Sequence, residues 1–247
     1  MKKWINTLLS LLIVGTAWGQ NATEIVRKAD AKMRGESSKG ELKMIIKRPT
    51  WERTIEFKSW SLSTEYSMTL VTAPAKEEGQ VFLKRQNEIW QWNPTINRMI
   101  KLPPSMMSQG WMGSDYSMDN VVKESSIVKD YNHKILGTET INGYETYKIE
   151  LMPLEDAAVI WGKIIVWISK DDYLQLKAQY FDEDDELVRT DISSNVQVMD
   201  GRKIPTRFEI IPADEKNQKT ILTIQNMQFN VDLSPTFFTQ QNMKRLR

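Results

Sequence analysis

The sequence predicts a mainly β (α+β) domain built on a single, strongly curved antiparallel sheet with two short helical pieces. Three observations carry this. Apolar residues recur at every second position through most of the chain, explicit hairpin turns separate these runs, and only the opening segment has helical spacing. A sheet of about ten or eleven strands curls or splits, and no linker or internal repeat divides this one.

The chain opens with Lys2 and Lys3, an apolar run from Leu8 to Val14, and the small-x-small sequence Ala17-Trp18-Gly19. This is the pattern of a signal peptide over residues 1–19, cleaved after Gly19, which leaves a domain over residues 20–247 in the periplasm. The run is shorter than the roughly 20 apolar residues a membrane span needs, and no later segment approaches that length. Next, Asn21 or Thr23 can cap a helix in which Ile25, Val26, Ala29, Ala31 and Met33 form one face and Gly35 ends it.

From Gly40 the period changes to two. Leu42, Met44 and Ile46 alternate with charged residues, and so do Ile55 and Phe57. Tyr66-Met68-Leu70, Val81-Leu83 and Trp90-Trp92 continue the pattern between turns at Pro49, Pro74 and Gly79. Tyr131, His133 and Ile135 also alternate. Later strands carry Tyr147-Ile149-Leu151, Ile164-Val166-Ile168 and Leu174 to Tyr180, then run near 188–198, 204–211 and 220–231. Asn142-Gly143, Lys170-Asp171-Asp172 and Asp200-Gly201 are hairpin turns. The ending Leu233-Ser-Pro-Thr-Phe-Phe238 is a proline-broken turn that places Phe237 or Phe238 on the sheet.

Composition narrows the function. The 33 lysines and arginines against 32 acids give a net charge of +1, and losing Lys2 and Lys3 turns it to −1. That is no footprint for nucleic acid, which calls for a clustered basic excess. The chain has no cysteine, hence no lipid-modified cysteine at its mature end. His133 is the single histidine and no Gly-x-Ser-x-Gly elbow accompanies it, so hydrolase or His-based metal chemistry is not expected. The acids at 182–186 lack the glycine bend and ligand spacing of a calcium loop and read as a solvated hairpin tip. Neither enzymatic activity nor a cofactor is expected.

Between Asn87 and Asn120 lie three of the nine tryptophans and five of the thirteen methionines, beside structure-breaking prolines and glycines. Two readings fit: an irregular loop sealing an ordinary core, or an adaptable cover over a ligand cavity. The covering segments total fewer residues than the sheet face they must hide. An incompletely sealed apolar hollow suits acyl chains, which gain about 0.8 kcal/mol per buried methylene.

The residues Trp90-Gln-Trp92-Asn-Pro94, Arg98, Lys101 and Leu102, then Trp111-Met-Gly-Ser-Asp-Tyr116 and Asp119, resemble the signature of the LolA-like outer-membrane lipoprotein-sorting family. The resemblance extends over nearly all the mature chain. It implies an unclosed half-barrel with a helical lid over its concave apolar face, and a monomeric periplasmic carrier of lipoprotein acyl chains or other lipids. An inner-membrane transporter would be the donor and an outer-membrane protein the acceptor. A periplasmic sensor that regulates a membrane partner uses the same scaffold and is the alternative.

Carried over by position, Trp90, Trp92, Met99, Met68, Leu70, Val166 and Ile168 would line the cavity, and Met106, Met107, Trp111, Met112, Gly113 and Tyr116 would form the lid. Replacing Trp111 and Met112 by Ser would then weaken fatty-acid uptake with the melting temperature nearly unchanged. Arg98 and Lys101 are a polar rim for lipid phosphates or a partner's acids, or else a solvated strand face. Ser114 and Asp115 read as helix caps. The arginine that latches the lid in this family has no assigned counterpart at the sequence level.

Overall fold

The computed structural model describes residues 21–122 and 126–246 of the 247-residue chain. The expected signal peptide lies outside the described residues.

The chain starts with helix α1 (Ala22–Arg34). The Asn21 side chain accepts a hydrogen bond from the Thr23 amide, and Gly35 ends the helix at φ +66°. Its buried face is Ala22, Ile25, Val26 and Ala29, while Ala31 of the expected face is exposed. Strands follow as β1 (Ser37–Lys47), β2 (Glu52–Leu62), β3 (Tyr66–Ala73), β4 (Val81–Arg85), β5 (Glu88–Asn93) and β6 (Arg98–Lys101). After an irregular crossing containing α2 (Met118–Val122) come β7 (Tyr131–Ile141), β8 (Tyr144–Pro153), β9 (Lys163–Ser169) and β10 (Gln175–Phe181). The sheet is completed by β11 (Leu187–Met199), β12 (Arg202–Pro212) and β13 (Lys219–Phe229), and a short α3 (Gln240–Met243) ends the described chain.

All thirteen strands form one antiparallel sheet in the order β6-β5-β4-β3-β2-β1-β13-β12-β11-β10-β9-β8-β7. Two meanders are joined where β1 pairs with β13, and the sheet does not close into a barrel. The strands exceed the expected ten or eleven chiefly through its edges. The edge strand β6 has four residues, none of them fully buried, so its sequence carries little apolar contrast. Asn142-Gly143 and Asp200-Gly201 do close two-residue hairpins, with φ of 50° and 83°, and 47° and 73°.

This order has a topological consequence. The two free edges, β6 and β7, are consecutive in the chain, so the chain returns from one to the other across the open side of the sheet, and residues 102–122 and 126–130 are the described parts of that crossing. That crossing and α1 cover one face, the inner one. The opposite face is covered near β2–β5 by the C-terminal tail, where Phe238 (0 % exposed) packs with Trp60, Met68, Leu70, Val81, Leu83, Trp92 and Met243. His133 staples α1 to the segment before β7. Its Nδ1 lies 3.1 Å from Thr23 Oγ1 on α1 and its Nε2 2.7 Å from the Ile127 carbonyl.

Candidate functional site

The crossing segment is a tight, pinned loop. The Trp111 amide donates to the Tyr116 carbonyl at 2.7 Å, and Gly110 and Ser117 form an isolated bridge. A side chain at Gly110 would meet the Ser114 carbonyl oxygen at 2.2 Å, so only glycine closes this loop. Met112 adopts φ 52°, which turns its carbonyl towards Arg53.

Three arginines of the sheet fasten this loop. Arg48, in the β1–β2 turn, grips both carboxylate oxygens of Asp115 at 3.0 Å and the Gly113 carbonyl at 2.9 Å. Arg53 donates to the Met112 carbonyl. Arg189, on β11, donates to the Asp115 carbonyl at 3.3 Å and to Asn120 Oδ1 at 3.2 Å. Thr220 Oγ1 completes the clasp, donating to Asp115 Oδ2 at 2.7 Å and receiving the Asp115 amide at 2.9 Å. Asp115 is therefore not the helix cap its sequence context suggests; it is the socket for Arg48. Ser114 turns its hydroxyl to the Trp111 carbonyl at 2.7 Å, again within the loop.

Between this lid, α1 and the sheet lies a cavity of about 310 Å³. Its apolar wall comes from Met33 on α1, Leu42 on β1, Ile164 on β9, Phe208 and Ile210 on β12, and Leu222, Ile224 and Met227 on β13. Tyr116, Asp119 and Asn120 bound it on the lid side, and Asp30 and Arg34 at the end of α1. A second hollow of about 650 Å³ opens beside β6, walled by Ile89, Lys101, Leu102, Pro103, Pro104, Met107, Val159 and Ile160. Asp119 borders both.

One polar group interrupts the apolar floor. Arg189 (4 % exposed) and Asp191 occupy successive inward positions of β11, where their cross-strand neighbours are Tyr180, Ala178 and Ile210. The pair is close, with Arg189 Nε 2.9 Å from Asp191 Oδ1, and the guanidinium stacks 4.1 Å from the Tyr180 ring centre. Burial pushes the Asp191 carboxyl above its ordinary value against the pull of Arg189. Burial also pushes the Tyr116 hydroxyl up to about 12 and raises Tyr180, so both phenols stay neutral donors at neutral pH.

The structure divides the expected site residues into three groups. Tyr116 lines the cavity, Met106 and Met112 pack partly buried on the core beneath the lid, and Met107 lines the second hollow. Trp111 is the lid's anchor, 1 % exposed, edge-on to Phe57 and Phe82 at 5.1 and 5.6 Å. The interior under it is filled, and the cavity lies to the side, towards α1. Val166 and Ile168 face inward but are sealed beneath α1.

Met68, Leu70, Trp90, Trp92 and Met99 do not line the cavity. Their strand parity turns them to the outer face, against the C-terminal tail. Side-chain alternation separates two faces without saying which one a distant tail will cover. Lys101 pairs with Glu88 at 2.6 Å on an exposed edge and borders the second hollow, while Arg98 is exposed on β6. The residues that sequence reasoning missed are Arg48, Arg53, Arg189 and Asp191. One signal was available: Arg189 and Asp191 share a parity with Leu187 in a strand whose valines Val188 and Val198 turn out to be exposed.

An antiparallel sheet not closed into a barrel, with one N-terminal helix, matches the LolA-like fold. A LolA superfamily protein from Nitrosomonas europaea superposes with TM-score 0.78 at 23% identity over 90% of this chain and 98% of that one. A domain from Vibrio parahaemolyticus described as outer membrane lipoprotein-sorting gives 0.80 at 22% identity over 91% and 98%. A DUF1329 family protein from Desulfovibrio piger gives 0.81 at 22% identity over 90% and 97%. The sequence model of the DUF1329 family, described as "Uncharacterized protein", matches residues 63–245, and the chain belongs to this family. No curated protein matches the chain. Among the described residues no helix is long and apolar enough to cross a membrane.

Proposed function

We propose that this protein is a periplasmic carrier that shelters the acyl chains of lipids or lipoproteins inside the half-barrel. One observation supports this most: a cavity of about 310 Å³, walled largely by aliphatic side chains, lies under a lid held by hydrogen bonds and an ion pair rather than by covalent closure. Such a cavity offers area and few polar contacts, which fits a flexible hydrocarbon chain. This fastening is non-covalent and so reversible: one ion pair, Arg48 with Asp115, and hydrogen bonds from Arg53 and Arg189 can all be exchanged for water when the lid lifts, the largely buried ion pair at the greatest cost.

On this reading the protein works as a monomer without cofactor and without chemistry of its own. It receives cargo from an inner-membrane donor and surrenders it at the outer membrane. Arg48, Arg53 and Arg189 hold the empty or loaded lid down, and Tyr116 meets the chain. The test is exchange between two vesicle populations, one carrying a fluorescent acyl lipid. Purified protein is expected to speed transfer in proportion to its concentration. Unchanged transfer, together with stable retention of one membrane protein partner, would instead favour the sensor.

A further inference from the structure

On the lipid-carrying reading above, we propose that the uncharged linkage of an acyl ligand, a fatty ester or a fatty amide, seats in a hydroxyl-lined recess beside the cavity, with Ser59 and Thr69 as its hydrogen-bonding partners. The recess has a volume of about 70 Å³ and lies between β1, β2, β3 and α2. A single water needs only about 10–15 Å³ of such space, so there is room for a small group of atoms. It shares Met33, Leu42, Tyr116, Asn120, Leu222 and Met227 with the 310 Å³ cavity, and the two therefore adjoin.

The recess exists because one cross-strand row is small. Gly40 on β1 faces Ser59 on β2, and Ser59 faces Thr69 on β3. The neighbouring inward row, Leu42, Phe57 and Val71, is bulky, so the floor drops where the side chains shrink. At Gly40 a side chain would meet Cε and Sδ of Met227 at 2.8 and 2.9 Å. Without one, Met227 lies across β1 and forms a wall that its flexible thioether can shift for a ligand.

The hydroxyls point to what fits. Thr69 is 2 % exposed and borders the recess, and among the described residues neither its hydroxyl nor that of Ser59 has a hydrogen-bond partner. Nearby hydroxyls are used: Ser38 and Ser61 bond each other at 2.7 Å, and Ser67 donates to the Val122 carbonyl at 2.8 Å. Ser59 is only half-buried, so a ligand reaches it. A shielded hydroxyl without a partner is unfavourable, and a carbonyl oxygen would relieve it.

Charge separates the recess from the cavity. No acid or base lines the recess, whereas Asp30, Arg34, Asp119 and Asp191 stand around the cavity. An ionised head placed in the recess would lose water and gain no counter-charge, which a neutral carbonyl does not suffer. The tail then runs past Met33 and Met227 along Leu222 and Ile224.

The experiment is displacement of a neutral fluorescent dye, N-phenyl-1-naphthylamine, from the purified protein by monodecanoylglycerol, N-decanoylglycinamide, decanoate and decylamine. The better of the two neutral ligands is expected to compete about tenfold more strongly than either ion, the effect of two ordinary hydrogen bonds. A lead for the ester assigns a glyceride linkage, and a lead for the amide assigns an N-acyl linkage. Ser59→Ala combined with Thr69→Val, which keeps the shape of Thr69 and removes its hydroxyl, should cost the neutral ligands about tenfold and leave decanoate unchanged. Ser59→Ala alone, at a half-buried position, carries the same test should the double variant not fold, with a loss of about threefold. Decanoate or decylamine competing as well as the neutral ligands, or a folded variant that holds them as before, would overturn the recess as their seat. Failure of every probe, the dye's own binding included, would remove the lipid-carrying reading itself.

Discussion

Trp111 separates two roles that its sequence context leaves joined. An indole that is 1 % exposed and packed edge-on to two phenyl rings contributes through buried area. Trp111→Ala should therefore cost about 3–5 kcal/mol in denaturant unfolding, contrary to the unchanged melting temperature expected of a mobile flap. Asp115 is a second case. With both side chains 13 % exposed, its pair with Arg48 is largely out of water. Asp115→Ala leaves an uncompensated guanidinium, and a loss of about 3 kcal/mol is expected, with faster amide exchange across residues 104–122.

Glu209 shows the pH dependence. Hydrogen bonds from Lys219 first, and also from Arg207, hold its carboxyl below the ordinary 4.5 despite partial burial. Below 4.5 the unfolded chain takes up this proton before the folded one. The contribution is thus present above that pH and disappears as pH falls through the lowered folded value. Glu209→Gln should flatten the acid limb of a stability–pH profile, and an unaltered limb would dismiss the effect.

At the scale of elements, α1 was legible down to its Gly35 stop and to a cap at Asn21 or Thr23, of which the structure uses Asn21, because capping and amphipathic spacing are local signals. The Asn-Gly and Asp-Gly hairpins were legible for the same reason. β11 was legible as a strand, yet its chemistry was hidden: Arg189 and Asp191 point inward and Val188 and Val198 outward. Periodicity reads hydrophobic contrast, and a strand that turns charge inward inverts it. The assignment of Trp90, Trp92, Met68 and Leu70 to the cavity failed on a nonlocal fact, the docking of Phe238 from a tail more than a hundred residues away. The lid depends on one backbone position in particular. Gly110→Ala brings a methyl against the Ser114 carbonyl, and a loss of at least about 1 kcal/mol with increased protease cutting at the loop is expected.

For the whole molecule, the pairing of β1 with β13 decides the rest. It places the two meanders side by side, leaves β6 and β7 as the free edges, and obliges the intervening segment to bridge the open side. The half-barrel was therefore predictable from the family resemblance, while its cavity position was not, since the filled core under Trp111 moves the open volume towards α1. The central claim is that this volume holds an acyl chain, and native mass spectrometry of the protein purified from its own host tests it most directly. The account predicts a satellite peak from an acyl-bearing molecule that is lost on collisional activation, and a Leu222→Trp protein, its cavity blocked, that arrives bare. Wild-type protein that arrives bare and stays bare after incubation with lipid would contradict it.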